Sequence, residues 1–137
     1  MNKKVKLAII GVVALGVAIG GFFGGRTLVQ TAQYRRIVSE IEINTVDLSN
    51  VQDGTWSGHF YAILVSADVD VTVEDGVITD IIIQNHHHGR AQAREAEVVA
   101  DRVVEGQTLS VDTVSEATNS SLVILQAIQN ALEEGKR

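Results

Sequence analysis

The sequence has no cysteine, which excludes disulfides, thiolate-bound zinc, iron–sulfur clusters, c-type haem attachment, thiol catalysis and a lipidated N-terminal cysteine together. Redox work must therefore use a borrowed cofactor. Proline is also absent, so turns and helix ends have to be read from Gly, Asn, Asp and Ser. Acid is missing from one part alone: residues 1–36 hold six basic residues and no acidic one, while 37–137 hold five basic and seventeen acidic residues. The net charge of −6 is thus +6 joined to −12, and a domain of that sign argues against nucleic acid as a partner. The 137 residues suffice for one ordinary domain.

Lys3, Lys4 and Lys6 precede Leu7 to Gly25, nineteen residues without a charge and about 28 Å long as a helix. A cleaved signal peptide has a shorter apolar run, roughly 7–15 residues, before a small-x-small site. Phe22-Phe23-Gly24-Gly25-Arg26 fits such a site poorly. Residues 7–25 therefore read as a transmembrane signal anchor in a cell membrane, with 1–6 cytoplasmic by the lysine cluster and the rest extracytoplasmic. Gly16, Gly20 and Gly24 recur at every fourth position, which suits either close helix packing or the ordinary abundance of Gly in membrane helices.

Residues 26–50 read as a stalk, with Leu28, Ala32, Ile37 and Ile41 continuing a helix to about Ile43 before the polar joint Asn44–Asn50. Within 51–137, three strands are expected over Thr55–Val65, Ala67–Val73 and Val77–Ile83, the last two joined as a hairpin by Glu74-Asp75-Gly76. A helix follows Gly89 through Ala93, Ala96, Val99, Ala100, Val103 and Val104 and ends at Gly106, and a second runs from about Asn119 to Leu132. The fold class is α+β: a small antiparallel sheet packed with two helices, preceded by one N-terminal transmembrane helix.

The segment Val111-Asp112-Thr113-Val114-Ser115-Glu116-Ala117-Thr118-Asn119-Ser120-Ser121 crowds five hydroxyls and an Asn at a helix N-terminus. Free N–H groups and the helix dipole there suit a phosphate, while N-capping by Thr118, Asn119 or Ser120 accounts for one such residue equally well. His86-His87-His88 alternates in a strand, so His87 points away from the other two, and a polar strand exit explains the run more simply than a metal site. Trp56, Phe60 and Tyr61 read as core of the first strand, and Asp68 and Asp70 as a solvated sheet face. Ser57, Ser66 and Ser110 lack a triad pattern, and no catalytic residue or metal site is assigned.

Asp53-Gly54-Thr55-Trp56-Ser57-Gly58, Val71-Thr72-Val73-Glu74-Asp75-Gly76-Val77-Ile78-Thr79-Asp80 and Asp112 to Ser121, in this order, resemble the FMN-binding domain family over about residues 53–133. That family includes flavin-carrying subunits of sodium-translocating NADH:quinone reductase and of the related ferredoxin:NAD oxidoreductase. The resemblance implies FMN esterified through its phosphate to a hydroxyl by a flavin transferase that uses FAD. By position the acceptor is Thr118, with Asp112, Ser115 and Ala117 as motif residues and Asn119, Ser120 and Ser121 beside the phosphate. Glu116 stands where the family pattern has Gly; if that position needs positive φ, a side chain there costs on the order of 1 kcal/mol. The expected function is a membrane-anchored flavoprotein exchanging electrons with redox partner proteins, a carrier more than a self-contained enzyme. The alternative is a tethered binding or assembly module that keeps the fold without flavin attachment.

Overall fold

The computed structural model describes the backbone of residues 1–137 and every side chain except that of Gln92. It divides into two compact units, Met1–Gln33 and Tyr34–Arg137.

The first unit is helical throughout from Lys3, the start of α1 (Lys3–Ser39). Its apolar window has nothing packed on it, and α1 is long and apolar enough to cross a membrane.

The second unit begins within the last turns of α1, where Val38 is buried and Tyr34 and Ile37 pack on the core. Ile41, Ile43, Val46 and Leu48 also rest on the core, so the segment expected as a stalk becomes part of the domain from Tyr34 onward. Two polar contacts hold it down: Asn44 donates its N–H to Gln129 Oε1 at 2.8 Å, and Asp47 accepts from the Ser49 N–H to start a 3-10 turn, Leu48–Asn50. The Ser49 hydroxyl foremost, then the Ser49 N–H, keeps the Asp47 carboxyl below its usual pKa.

A three-stranded antiparallel sheet follows in the order β1 (Gly54–Ala62), β2 (Val65–Glu74), β3 (Val77–His87). The β2–β3 hairpin turns through Asp75 at φ 50° and Gly76 at φ 73°, the positive pair that two-residue loops require. The β1–β2 connection went unseen in the sequence because it is Ile63-Leu64, with Ile63 held at φ 58°, a conformation that β-branched residues rarely adopt. What read as one strand to Val65 is therefore a turn at Ile63.

In β2, Val69, Val71 and Val73 face inward while Asp68, Asp70 and Thr72 face out. The outer face carries cross-strand pairs: Ser57 and Gln84 donate to Asp70 at 2.6 and 2.8 Å, and Thr55 bonds Thr72 at 3.0 Å. Ser57 foremost, then Gln84, holds the Asp70 carboxyl below its usual pKa. The solvated face read from the aspartates is what the strands present.

Two bulges, at Asp68/Val69 and Thr72/Val73 in the β2 register, shift the phase of β3. Ile78, then Ile81 and Ile83, then His86 turn inward as a result, three residues apart at each bulge and two elsewhere.

The helical layer is α2 (Val98–Gly106) and α3 (Thr118–Glu134). The first expected helix is α-helical only from Val98, since Ala91–Glu97 is a 3-10 helix. Its C-cap is Gln107 at φ 51°, one residue beyond the expected Gly106. Gln107 is there for its side chain: the amide accepts from the Ile78 N–H and donates to the Ile78 carbonyl, both at 2.8 Å, mimicking a strand partner at the edge of β3. On α3, Val123, Ile124, Leu125, Ala127, Ile128, Ala131 and Leu132 are buried against the sheet, a stripe wide enough for a helix lying flat on it. A Cβ on Gly58 would stand 2.0 Å from the Ala127 carbonyl oxygen, so α3 crosses β1 at a point only Gly permits. Trp56 and Phe60 are half-buried beside this crossing, whereas Tyr61, expected in the core, is exposed on the outer face.

Candidate functional site

The chain enters α3 through a tight turn. Val114 accepts from the Ala117 N–H at 3.0 Å, and the third residue of that turn, Glu116, has φ 64°. This is the turn position that takes Gly or Asn because other side chains crowd the backbone. A Gly, which the resemblance implies at this position, would sit there without strain, whereas this chain has Glu116. Glu116→Gly is expected to raise unfolding stability by about 1 kcal/mol, measurable as a shift in denaturation midpoint at constant slope.

Ser121 locks the turn from inside the helix. Its buried hydroxyl donates to the Ala117 carbonyl at 2.8 Å and accepts the Val114 N–H at 3.1 Å. Val111 and Val114 pack on the core and Ala117 is buried, so the segment is anchored along its length. From α2, Arg102 donates through Nη1 to the Asp112 carbonyl at 2.6 Å.

Thr118 is the first residue of α3, and its side chain is exposed, as are those of Asn119, Asp112, Ser115 and Glu116. The expected capping by Thr118, Asn119 or Ser120 is not what the helix uses. The cap position is Ala117, at φ −129°, with no side-chain hydrogen bond. First-turn N–H groups have no carbonyl one turn back, so this end is left open to solvent or an anion beside an exposed hydroxyl. Ser120 and Ser121 differ from Thr118: both side chains are buried, and the Ser121 N–H is already bonded to the Ala117 carbonyl at 2.9 Å. The structure therefore brings Thr118, Asn119 and the Glu116 turn together at one surface and turns the two serines inward.

Direction along the domain follows from the Gly58 contact. From Ala127 to Thr118 is about 13 Å of helix and from Gly58 to Ala62 about 13 Å of strand, and Gly135 lies against Trp56 at the other end. The α3 N-terminus therefore lies toward the Ile63 turn and the His86–His88 end of β3, since β2 pairs Ser66 with His87 beside that turn.

At that end His86 is directed inward, with only 1% of its side chain exposed. Its Nδ1 is 3.2 Å from Glu97 Oε1 and its Nε2 has no partner among the described residues. His87 is exposed, and the His88 ring lies 4.8 Å from that of His86. No cluster of three or more His, Asp or Glu able to hold a metal occurs among the described residues. Burial first, opposed by Glu97, lowers the His86 pKa. The unfolded chain then binds this proton more readily, so stability is fully present above about pH 6.5 and falls as pH drops below it. The denaturation midpoint is expected to decline between pH 7 and 5, and His86→Gln to flatten that slope. An unchanged slope would contradict the assignment.

An open groove of about 730 Å³ is lined by Trp56, Ser57, Gly58, His59, Asn130, Glu133 and Glu134. It adjoins the C-terminal end of α3, away from Thr118.

The sequence model of the FMN-binding domain matches residues 66–133. That segment belongs to the FMN-binding domain family, and FMN is the cofactor the family indicates. The match begins in β2; β1, which holds Gly54-Thr55-Trp56-Ser57-Gly58, lies outside it but pairs in the same sheet. An NADH:acrylate oxidoreductase of Vibrio harveyi is 33% identical over 66 residues, 47% of this chain and 7% of that protein. The chain thus spans a small fraction of that relative's length. No solved structure gives a significant match.

Proposed function

We propose that this chain is a membrane-anchored, extracytoplasmic electron carrier that holds FMN as a phosphoester of Thr118. The observation that carries the reading is an exposed threonine at the first, uncapped position of α3 inside the FMN-binding segment. The residues suit the group. Thr118 would offer the hydroxyl, and the N–H groups of Thr118 to Ser120, which no side chain caps, would hold the phosphate.

In maturation the Thr118 hydroxyl would take the FMN phosphoryl group from FAD on a flavin transferase: the Oγ–P bond would form as the phosphoanhydride P–O bond breaks, AMP would leave with the electron pair, and the hydroxyl proton would pass to the transferase or solvent. Bound FMN supplies one- and two-electron redox chemistry. The tether prevents loss of cofactor into a dilute exterior, and the exposure of Asn119, Ser115 and Glu116 leaves the site open to redox partner proteins. Leu7–Gly25 of α1 serves as the anchor, with the lysine-rich end cytoplasmic.

The test is fractionation with spectroscopy. Expressed with a flavin transferase, the chain is expected in the carbonate-resistant membrane fraction, with its domain open to protease from outside. The purified protein is expected to show flavin absorbance that bleaches with dithionite and returns with an oxidant. A colourless or soluble product would contradict the reading.

A second reading is favoured by Glu116, which is strained and places a negative charge two residues before the acceptor. On that reading the chain is a tethered binding or assembly module that has lost flavin attachment. Glu116→Gly discriminates: a variant that gains flavin where the parent has none supports the module, and equal labelling supports the carrier.

A further inference from the structure

We infer that Arg102 is the positioning and charge-balancing residue of the acceptor segment, an inference that rests on attachment at Thr118. The segment from Asp112 to Thr118 carries two carboxylates, Asp112 and Glu116, both exposed, and no cation of its own. Attachment brings a phosphodiester, and the FAD pyrophosphate before it, to this acidic stretch. Repulsion from Glu116 opposes both approach and retention.

Arg102 is the cation bonded to the segment among the described residues. It reaches across from α2, a separate element, and donates to the Asp112 carbonyl at 2.6 Å. A guanidinium has five N–H donors in a planar fork. One of them fixes the start of the segment, and the others remain for an incoming phosphate oxygen or for Glu116. Half-burial of Arg102 keeps its stem packed while the head stays at the surface. The bond holds Asp112 in place, so the turn at Glu116 is entered from a fixed point, and the inferred second role of the guanidinium is to balance the negative charge of Glu116 and of the incoming phosphate. The Val114, Ala117 and Ser121 bonds hold the backbone on either side of Glu116.

The experiment uses the full chain in detergent, purified transferase, FAD and Mg²⁺, and follows the rate of covalent labelling by intact mass. The proteins are the parent, Arg102→Gln, Arg102→Lys, Glu116→Gln and the double variant Arg102→Gln with Glu116→Gln. At low salt, Arg102→Gln is expected to label at least ten-fold more slowly than the parent. Arg102→Lys should keep most of the parental rate, and Glu116→Gln should recover much of the rate lost in Arg102→Gln. Added salt should narrow the gap between parent and Arg102→Gln, because screening weakens exposed charges. Labelling of Arg102→Gln at the parental rate overturns the inference. Equal slowing of Arg102→Lys and of the double variant overturns the charge-balancing role and leaves only support of the loop. A parent that stays unlabelled, while the transferase labels another substrate, overturns attachment at Thr118 and this inference with it, and is told apart from the other outcomes by the parent alone.

Discussion

Thr118→Ala is expected to lose covalent flavin completely while keeping its fold. The side chain is exposed and does not cap α3, whose cap position is Ala117 without a side-chain bond. Removing the hydroxyl should therefore move unfolding stability by no more than about 0.5 kcal/mol. No neighbouring hydroxyl can replace it without rearrangement: Ser120 and Ser121 are buried, and the Ser121 hydroxyl is engaged with Val114 and Ala117. Ser115 is exposed, but it lies in the turn ahead of the helix, away from the first-turn N–H groups. Thr118→Ser should retain the label. Fluorescence of the denatured protein in a gel reads all three cases, and a labelled Thr118→Ala would show that the acceptor is another residue.

Gly58→Ala is expected to cause the largest loss of stability in the domain. The new Cβ would lie 2.0 Å from the Ala127 carbonyl oxygen, 2.6 Å from the Ala131 nitrogen and 2.8 Å from the Ala131 Cβ. These are backbone and short side-chain atoms of α3, with no flexible end to swing aside, so α3 must lift from β1. That opens the contact between the sheet and Ile124, Ile128 and Leu132, all fully buried. A loss on the order of 3 kcal/mol or more follows, a large share of the 5–15 kcal/mol typical of a whole domain. The single Trp56 stands at the same crossing, against Gly135 and bonded to the Gln52 carbonyl at 2.9 Å. Its fluorescence in a urea titration of the full chain in micelles reports the change, and an unshifted midpoint would contradict the close packing.

The two elements most legible in the sequence were those whose pattern is local. Val69, Val71 and Val73 alternating with Asp68, Asp70 and Thr72 announced a half-buried strand, and Asp75-Gly76 announced its hairpin. The apolar run Leu7–Gly25 likewise announced a helix able to span a bilayer. Less legible were features set by tertiary contact. Ile63 makes a turn without any turn residue, because pairing of Ala62 with Val65 fixes the register on both sides. The inward direction of His86 depends on two bulges in β3, and a period-two reading cannot count residues lost to bulges. Gln107 ends α2 with an amide that serves β3, a reason visible only once Ile78 is beside it.

At the site, the hydroxyl-rich segment and the resemblance point to Thr118 as the acceptor, and the structure has this residue exposed at the first position of α3. The burial of the Ser120 and Ser121 side chains, set by the packing of α3 on the sheet, was not legible from the hydroxyl-rich run. Arg102 went unread because its link to the segment spans ten residues and two elements. A sequence signal existed in the uncompensated acids at 112 and 116, which call for a cation from elsewhere in the fold.

The central claim is covalent FMN on this chain, and the most direct test is intact mass of the full chain expressed with and without a flavin transferase, read alongside flavin fluorescence after denaturation. The expected result is one added FMN phosphoester and a fluorescent band only with the transferase. An unchanged mass and a dark band, with the same transferase labelling a second substrate, would contradict it.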